Sequence, residues 1–153
     1  MSIEENLKNL HIELPEVATP LGSYRPSVVS GNYIYVSGQL PMRDGELLYK
    51  GKVDSEISLE DAVEAARICA VNSLAILKNE TGDLDKVARI VKVTGYVASS
   101  DGFYKQADVI NGASNLYYEV FGEAGVHARA AVGVYHLPLN SPVEVDLIAE
   151  IVS

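Results

Sequence analysis

The sequence predicts an α+β domain in which two helices cover one face of a mixed sheet. A long, well-capped helical pattern opens at Ser58, and a run of β-branched residues at 87–98 reads as a strand. Pairs of short β-rich segments stand near each end, so the order is hairpin, helix, strand, helix, hairpin. At 153 residues the chain has the size of one domain, and no repeat or low-complexity tract divides it. Residues 1–153 therefore read as a single domain, with 1–20 as an N-terminal helix and linker.

The elements follow in order. Ser2 caps a short helix to Leu10, Glu5 completes a capping box, and Ile3, Leu7 and Leu10 share one face. Pro15 and Pro20 enforce an extended linker. From Ser27 to Gly38, Ser30-Gly31-Asn32 is turn chemistry between two β-rich runs and predicts a hairpin. Residues 39–57, with Pro41, Asp44-Gly45 and Gly51, read as loop with room for a short strand. Ser58 is then an N-cap followed by Glu60 and Asp61, which favour the positive end of a helix dipole. Leu59, Ala62, Val63, Ala66, Cys69, Ser73, Ile76 and Leu77 recur at helical spacing, and Thr81-Gly82 supplies the stop. A second helix runs from about Phe103 to Phe121, ended by Gly122. Two strands close the chain, Ala130 to His136 and Val143 to Ile151, joined by a turn from Leu137 to Pro142. Two helices leave the other face of the sheet uncovered. Val132, Val134 and Ile148 make that face partly apolar, which implies burial in an oligomer.

Composition narrows the function. With 48% hydrophobic and 22% charged residues this is an ordinary globule, and no apolar stretch approaches the roughly 18–20 residues of a membrane span. The acidic, amphipathic N-terminus lacks the basic start and apolar core of a secretory signal, which predicts a cytoplasmic protein. A net charge of −9 and the lack of any Lys/Arg run disfavour nucleic acid as a partner. Cys69 is the single cysteine, so an internal disulfide framework and a Cys-based zinc site are excluded. It lies within the apolar helical pattern and reads as a buried structural thiol. His11, His127 and His136 show no paired ligand spacing, so no metal site is predicted. No phosphate-binding glycine motif is present.

The informative region is the C-terminal pair of strands. Arg129 precedes an apolar run, HARAAVGVYHLP, and a permanently charged fork in a poorly solvated place needs an anionic partner. Glu144 and Asp146, two apart, point to the same sheet face. By pattern alone these acids are the wet side of an edge strand and Arg129 makes a salt bridge.

Longer stretches of the sequence add a resemblance. They are Gly22-Ser23-Tyr24, Gly31-Asn32-Tyr33-Ile34-Tyr35-Val36-Ser37-Gly38-Gln39-Leu40-Pro41, Asn115 with Tyr118 and Phe121, and His127-Ala128-Arg129-Ala130-Ala131-Val132 through Leu137-Pro138 to Val143-Glu144-Val145. In this order, over about Gly22 to Ile151, they resemble the Rid/YjgF family of reactive intermediate deaminases, also described as endoribonuclease L-PSP-like proteins. The resemblance implies a chorismate-mutase-like fold and a homotrimer with clefts between subunits. It also implies hydrolysis of enamines and imines such as 2-aminoacrylate, without a cofactor, giving ammonia and a 2-keto acid. Mapped by motif, Arg129 matches the arginine that grips the substrate carboxylate and Glu144 the acid that positions or activates water. Tyr24, Ser37 and Asn115 match residues lining the cleft. By position alone those three are linker packing, a strand-end hydroxyl and helix surface.

Departures from the family pattern are specific. His127 and Ala130 replace the proline and serine of Pro-Ala-Arg-Ser, and Ala131 stands where a cysteine is often found. The N-terminal helix and the longer 39–57 and 122–128 stretches imply a longer subgroup with a reshaped cleft. Two other function classes remain: a non-catalytic trimer that binds a small carboxylate metabolite, and a ribonuclease or translation inhibitor, which the charge disfavours.

Overall fold

The computed structural model describes residues 1–17, 20 and 22–152, so the predicted linker lies partly outside the described residues. Helix α1 (Ile3–Asn9) begins as its sequence dictates: Ser2 Oγ accepts the Glu5 N–H at 3.1 Å, and the Ser2 N–H donates to the Glu5 carboxylate at 3.0 Å. Leu7 is buried, and Ile3 and Leu10 pack against the same core. Strands β1 (Ser27–Ser30) and β2 (Tyr33–Gln39) form the predicted antiparallel hairpin, with Gly31 taking φ 60° in the turn. The loop that follows contains a two-residue ladder, β3 (Met42–Arg43) with β4 (Glu46–Leu47).

Helix α2 (Leu59–Thr81) is capped by Ser58 Oγ, which accepts the Asp61 N–H at 3.1 Å, and ends on Gly82 at φ 79°. Its buried set is wider than one amphipathic stripe and includes Ala65, Ile68, Ala70, Val71 and Leu74. The reason is that α2 packs on the sheet and also flank to flank with α3 (Gln106–Phe121). Gly112 of α3 makes that approach possible, because a Cβ there would run into the Val63 carbonyl. Cys69 is fully buried, as expected of a structural thiol.

Strands β5 (Val87–Ala98), β6 (Ala128–Val134) and β7 (Val143–Ile151) complete a five-stranded sheet in the order β1-β2-β7-β5-β6. The α+β class and the two helices on one face are as predicted. One connection is not: the last two strands form no hairpin. Strand β6 pairs parallel to β5, and β7 pairs antiparallel to both β5 and β2. The cause is the α3 crossover, which returns the chain parallel to β5 on its outer side. The Leu137–Pro142 segment then passes the end of β5, where the Ala98 N–H donates to the Pro142 carbonyl at 2.9 Å. β7 thus enters the centre of the sheet. It alternates, burying Val143, Val145, Leu147 and Ala149 under the helices. The open face carries Val28, Tyr35 and Val132, which are 52%, 46% and 42% exposed, apolar side chains that no helix covers among the described residues.

Candidate functional site

The residues singled out from sequence fall into two groups on opposite faces of the sheet. Arg129 pairs in register with the buried Val93, so its side chain leaves β6 on the helix face. Glu144 pairs with Tyr96, and Asp146 with Thr94, on the open face. β6 lies two strand spacings from β7, roughly 10 Å, so Arg129 and Glu144 of one chain do not meet.

The basic group forms where α3 meets the edge strand. Arg129 Nη1 donates to Asn111 Oδ1 at 2.7 Å and to Ser114 Oγ at 3.2 Å. Ser114 in turn lies 2.9 Å from His127 Nε2, and His127 Nδ1 donates to the Gly125 carbonyl at 2.6 Å. Burial lowers the imidazole pKa and outweighs the opposing hydrogen bond to Gly125, and the Arg129 charge beside it lowers it further. Ser114, His127 and Arg129 line a hollow of about 290 Å³ with Tyr118, Gly125 and Val126. Asn115, one turn beyond Asn111, is exposed beside the group and not hydrogen-bonded to Arg129 among the described residues.

The sequence predicted a poorly solvated Arg129 with an anionic partner. Instead the side chain is exposed and its partners are an amide and a hydroxyl. Strand β6 is an edge strand of small residues with no further strand beside it among the described residues, and the facing turn of α3 offers neutral acceptors. Asn111, Ser114 and His127 were missed as partners. Asn111 and Ser114 do stand three apart, the spacing that puts two side chains on one helix face.

The acidic group forms at the β2–β7 junction. A bulge between Val36 and Gln39 lifts Ser37-Gly38 from the ladder. Ser37 Oγ donates to the Arg25 carbonyl at 2.6 Å, tying the bulge to the segment that presents Tyr24, itself 61% exposed. The Glu144 carboxylate lies over Gly38, where a Cβ would collide with it. Tyr96 donates to Asp146 Oδ2 at 2.9 Å. Burial raises the Glu144 pKa, reinforced by the Asp146 charge, and burial also raises that of Asp146. The Tyr96 hydroxyl is pushed up to about 12 by burial and then by its hydrogen bond to Asp146. The predicted wet side of an edge strand is thus a half-buried acidic pair on a central strand, because β7 is flanked by β2 and β5.

The chemistry of the two groups differs. An exposed guanidinium with neutral partners can hold an anion. A carboxylate with a raised pKa accepts a proton more readily than an ordinary one. Among the described residues no cluster of three or more His, Cys, Asp or Glu could hold a metal ion, and no helix is long and apolar enough to cross a membrane.

Comparison with known proteins places residues 4–151 within a family described as YjgF/chorismate mutase-like, putative endoribonuclease. Protein TCP17 of Trypanosoma cruzi is 42% identical over 150 residues, covering 97% of this chain and 94% of that protein. A crystal structure of a protein of unknown function from Agrobacterium tumefaciens is 48% identical, with a TM-score of 0.90, over 98% of this chain and 92% of that one. A putative endoribonuclease from Shewanella oneidensis, 34% identical, superposes with a TM-score of 0.95 over 99% of this chain and 100% of that one. A more distant relative from Dermatophagoides farinae, 28% identical over 92% of this chain and 94% of that protein, is named 2-iminobutanoate/2-iminopropanoate deaminase.

Proposed function

The chain belongs to the YjgF/chorismate mutase-like family, and from that premise we propose that it is a cofactor-independent hydrolytic deaminase. Its substrates are small enamine and imine acids such as 2-aminoacrylate, and its products are ammonia and a 2-keto acid. The observation that carries the reading is Arg129: a permanent charge at the mouth of a hollow, with no carboxylate partner among the described residues.

A 2-imino acid bears its carboxylate next to the electrophilic carbon. Two parallel N–H bonds from Arg129 fix the orientation and distance of that carbon. Glu144 accepts a proton from water as the oxygen adds to the carbon and passes it to the nitrogen, giving a carbinolamine. It then takes the hydroxyl proton and delivers it to the nitrogen as the C–N bond breaks, leaving the keto acid and ammonia. A raised carboxyl pKa brings Glu144 closer to the working pH for both steps. Tyr24, Ser37 and Asn115 border these two groups and line the cleft.

Because the two groups do not meet in one chain, the complete cleft joins Arg129 and Asn115 of one subunit to Tyr24, Ser37 and Glu144 of the next, in a homotrimer. The exposed apolar side chains Val28, Tyr35 and Val132 on the open face support such an assembly. The test mixes two variants, Arg129→Ala and Glu144→Gln, each inactive alone. If neighbouring chains share the cleft, co-assembled trimers regain activity at roughly a quarter of their sites. No recovery places both residues in one chain's site, and no acceleration of 2-aminoacrylate hydrolysis by the wild type rejects the activity.

The separation also supports a second reading, in which Arg129 holds a small carboxylate metabolite and Glu144 has no chemical duty. Under it, Glu144→Gln changes no measurable property of the bound keto acid. An RNA-cutting role runs against the net charge of −9, and RNA degradation by purified protein at physiological salt is its test.

A further inference from the structure

We infer that Ser114 and His127 are positioning residues that, with Asn111, occupy Nη1 of Arg129 and leave its Nε–Nη2 edge as the one on which a carboxylate docks. This rests on the reading that Arg129 binds the carboxylate. A guanidinium has five N–H donors and two edges that can grip a carboxylate with paired bonds, Nη1 with Nη2 and Nε with Nη2. Nη1 carries two hydrogens, and two acceptors meet it: Asn111 Oδ1 at 2.7 Å and Ser114 Oγ at 3.2 Å. The end-on edge is therefore closed. The side-on edge has no protein acceptor among the described residues.

His127 sets the direction of this chain of bonds. A carbonyl only accepts, so Nδ1 carries the hydrogen that reaches the Gly125 carbonyl, and in the neutral ring Nε2 is an acceptor. The Ser114 hydrogen goes to Nε2, and the Ser114 lone pairs are left for Arg129. The surroundings favour the neutral ring. Arg129 faces it from β6, Tyr117 meets it edge-on from α3 at 5.7 Å, and no carboxylate is among its hydrogen-bond partners. An Arg129 held in this way offers a substrate one orientation instead of two.

The test measures the Kd of 2-oxobutanoate by calorimetry, and kcat and KM for 2-aminoacrylate generated enzymatically. Ser114→Ala and His127→Phe should each weaken the keto acid and raise KM up to about tenfold, with kcat much less affected. Ser114→Thr, which keeps a hydroxyl, should restore both. The double variant should be no weaker than either single one, since both break the same chain. Unchanged affinity in Ser114→Ala, or penalties that add in the double variant, overturns the inference while the carboxylate reading stands. If His127→Phe fails to fold, the Ser114→Ala and Ser114→Thr pair decides alone. A wild type that does not bind the keto acid, or an Arg129→Ala variant that binds it as tightly, overturns the reading itself and the inference with it.

Discussion

The α3–β6 edge and the β2–β7 junction handle charge in opposite ways. At the edge a cation stays exposed and is steadied by an amide and a hydroxyl. At the junction two acids are half-buried on a central strand, and their ionised forms are penalised by burial. The fold's ion pairs lie elsewhere: among the described residues they are Arg67–Glu119 at 3.2 Å and Lys78–Glu4 at 2.9 Å. Among the described residues neither Arg129 nor Glu144 makes an ion pair, and Asp146 feels the Lys92 charge without pairing with it. Half-buried acids with raised pKa values are the kind of group that gathers at functional sites, which agrees with the duty proposed for Glu144.

The largest expected effect separates the two regions by duty. Replacing Glu144 by Gln should lower turnover of 2-aminoacrylate by roughly 10²–10⁴ while the Kd for a 2-keto acid stays within a few-fold. Equal losses in both would erase the distinction. Next, Arg129→Ala should weaken keto-acid binding by about 1.5–3 kcal/mol, the range for hydrogen bonds to charged groups, read by calorimetry. A structural contrast comes third. Gly112→Ala forces a methyl into the Val63 carbonyl and should cost about 1–3 kcal/mol in denaturant unfolding, with the binding constant per folded molecule unchanged.

The smallest effect concerns pH. The Glu144 pKa is raised in the fold, so its ionisation costs stability once the pH exceeds the ordinary value of 4.5. Glu144→Gln should therefore raise the melting temperature slightly at pH 7, and the gain should vanish below pH 4.5. The wild-type turnover should show the complementary limb, falling with acidity at a pH above that same value.

Local chemistry made much of the fold legible. The capping box at Ser2, the Ser58 cap, the Gly82 stop and the Gly31 turn are each decided by residues within a few positions of one another. The partner of β7 was not legible. Whether Val143–Ile151 pairs with β6 or slips between β2 and β5 depends on the path of α3, which is a long-range property. The same limit governs the candidate site. Arg129 and Glu144 are visible because they sit in a motif, whereas the neutral partners of Arg129 come from a helix 15 and 18 residues away. His127 stood out only as a departure from the family's proline, with no hint that its ring would direct the Ser114 hydroxyl.

The central place of β7 bears on how the chain is made. Tyr33 of β2 must wait for Glu150, and the β5 strand likewise has no antiparallel partner until Val143–Ile151 leaves the ribosome. Until β7 forms, the β2 and β5 edges that it joins stay open, and pairing over so long a sequence separation makes closure of the sheet slow. A product ending between Ala98 and Val143 would have both edges open, prone to aggregate and to be degraded.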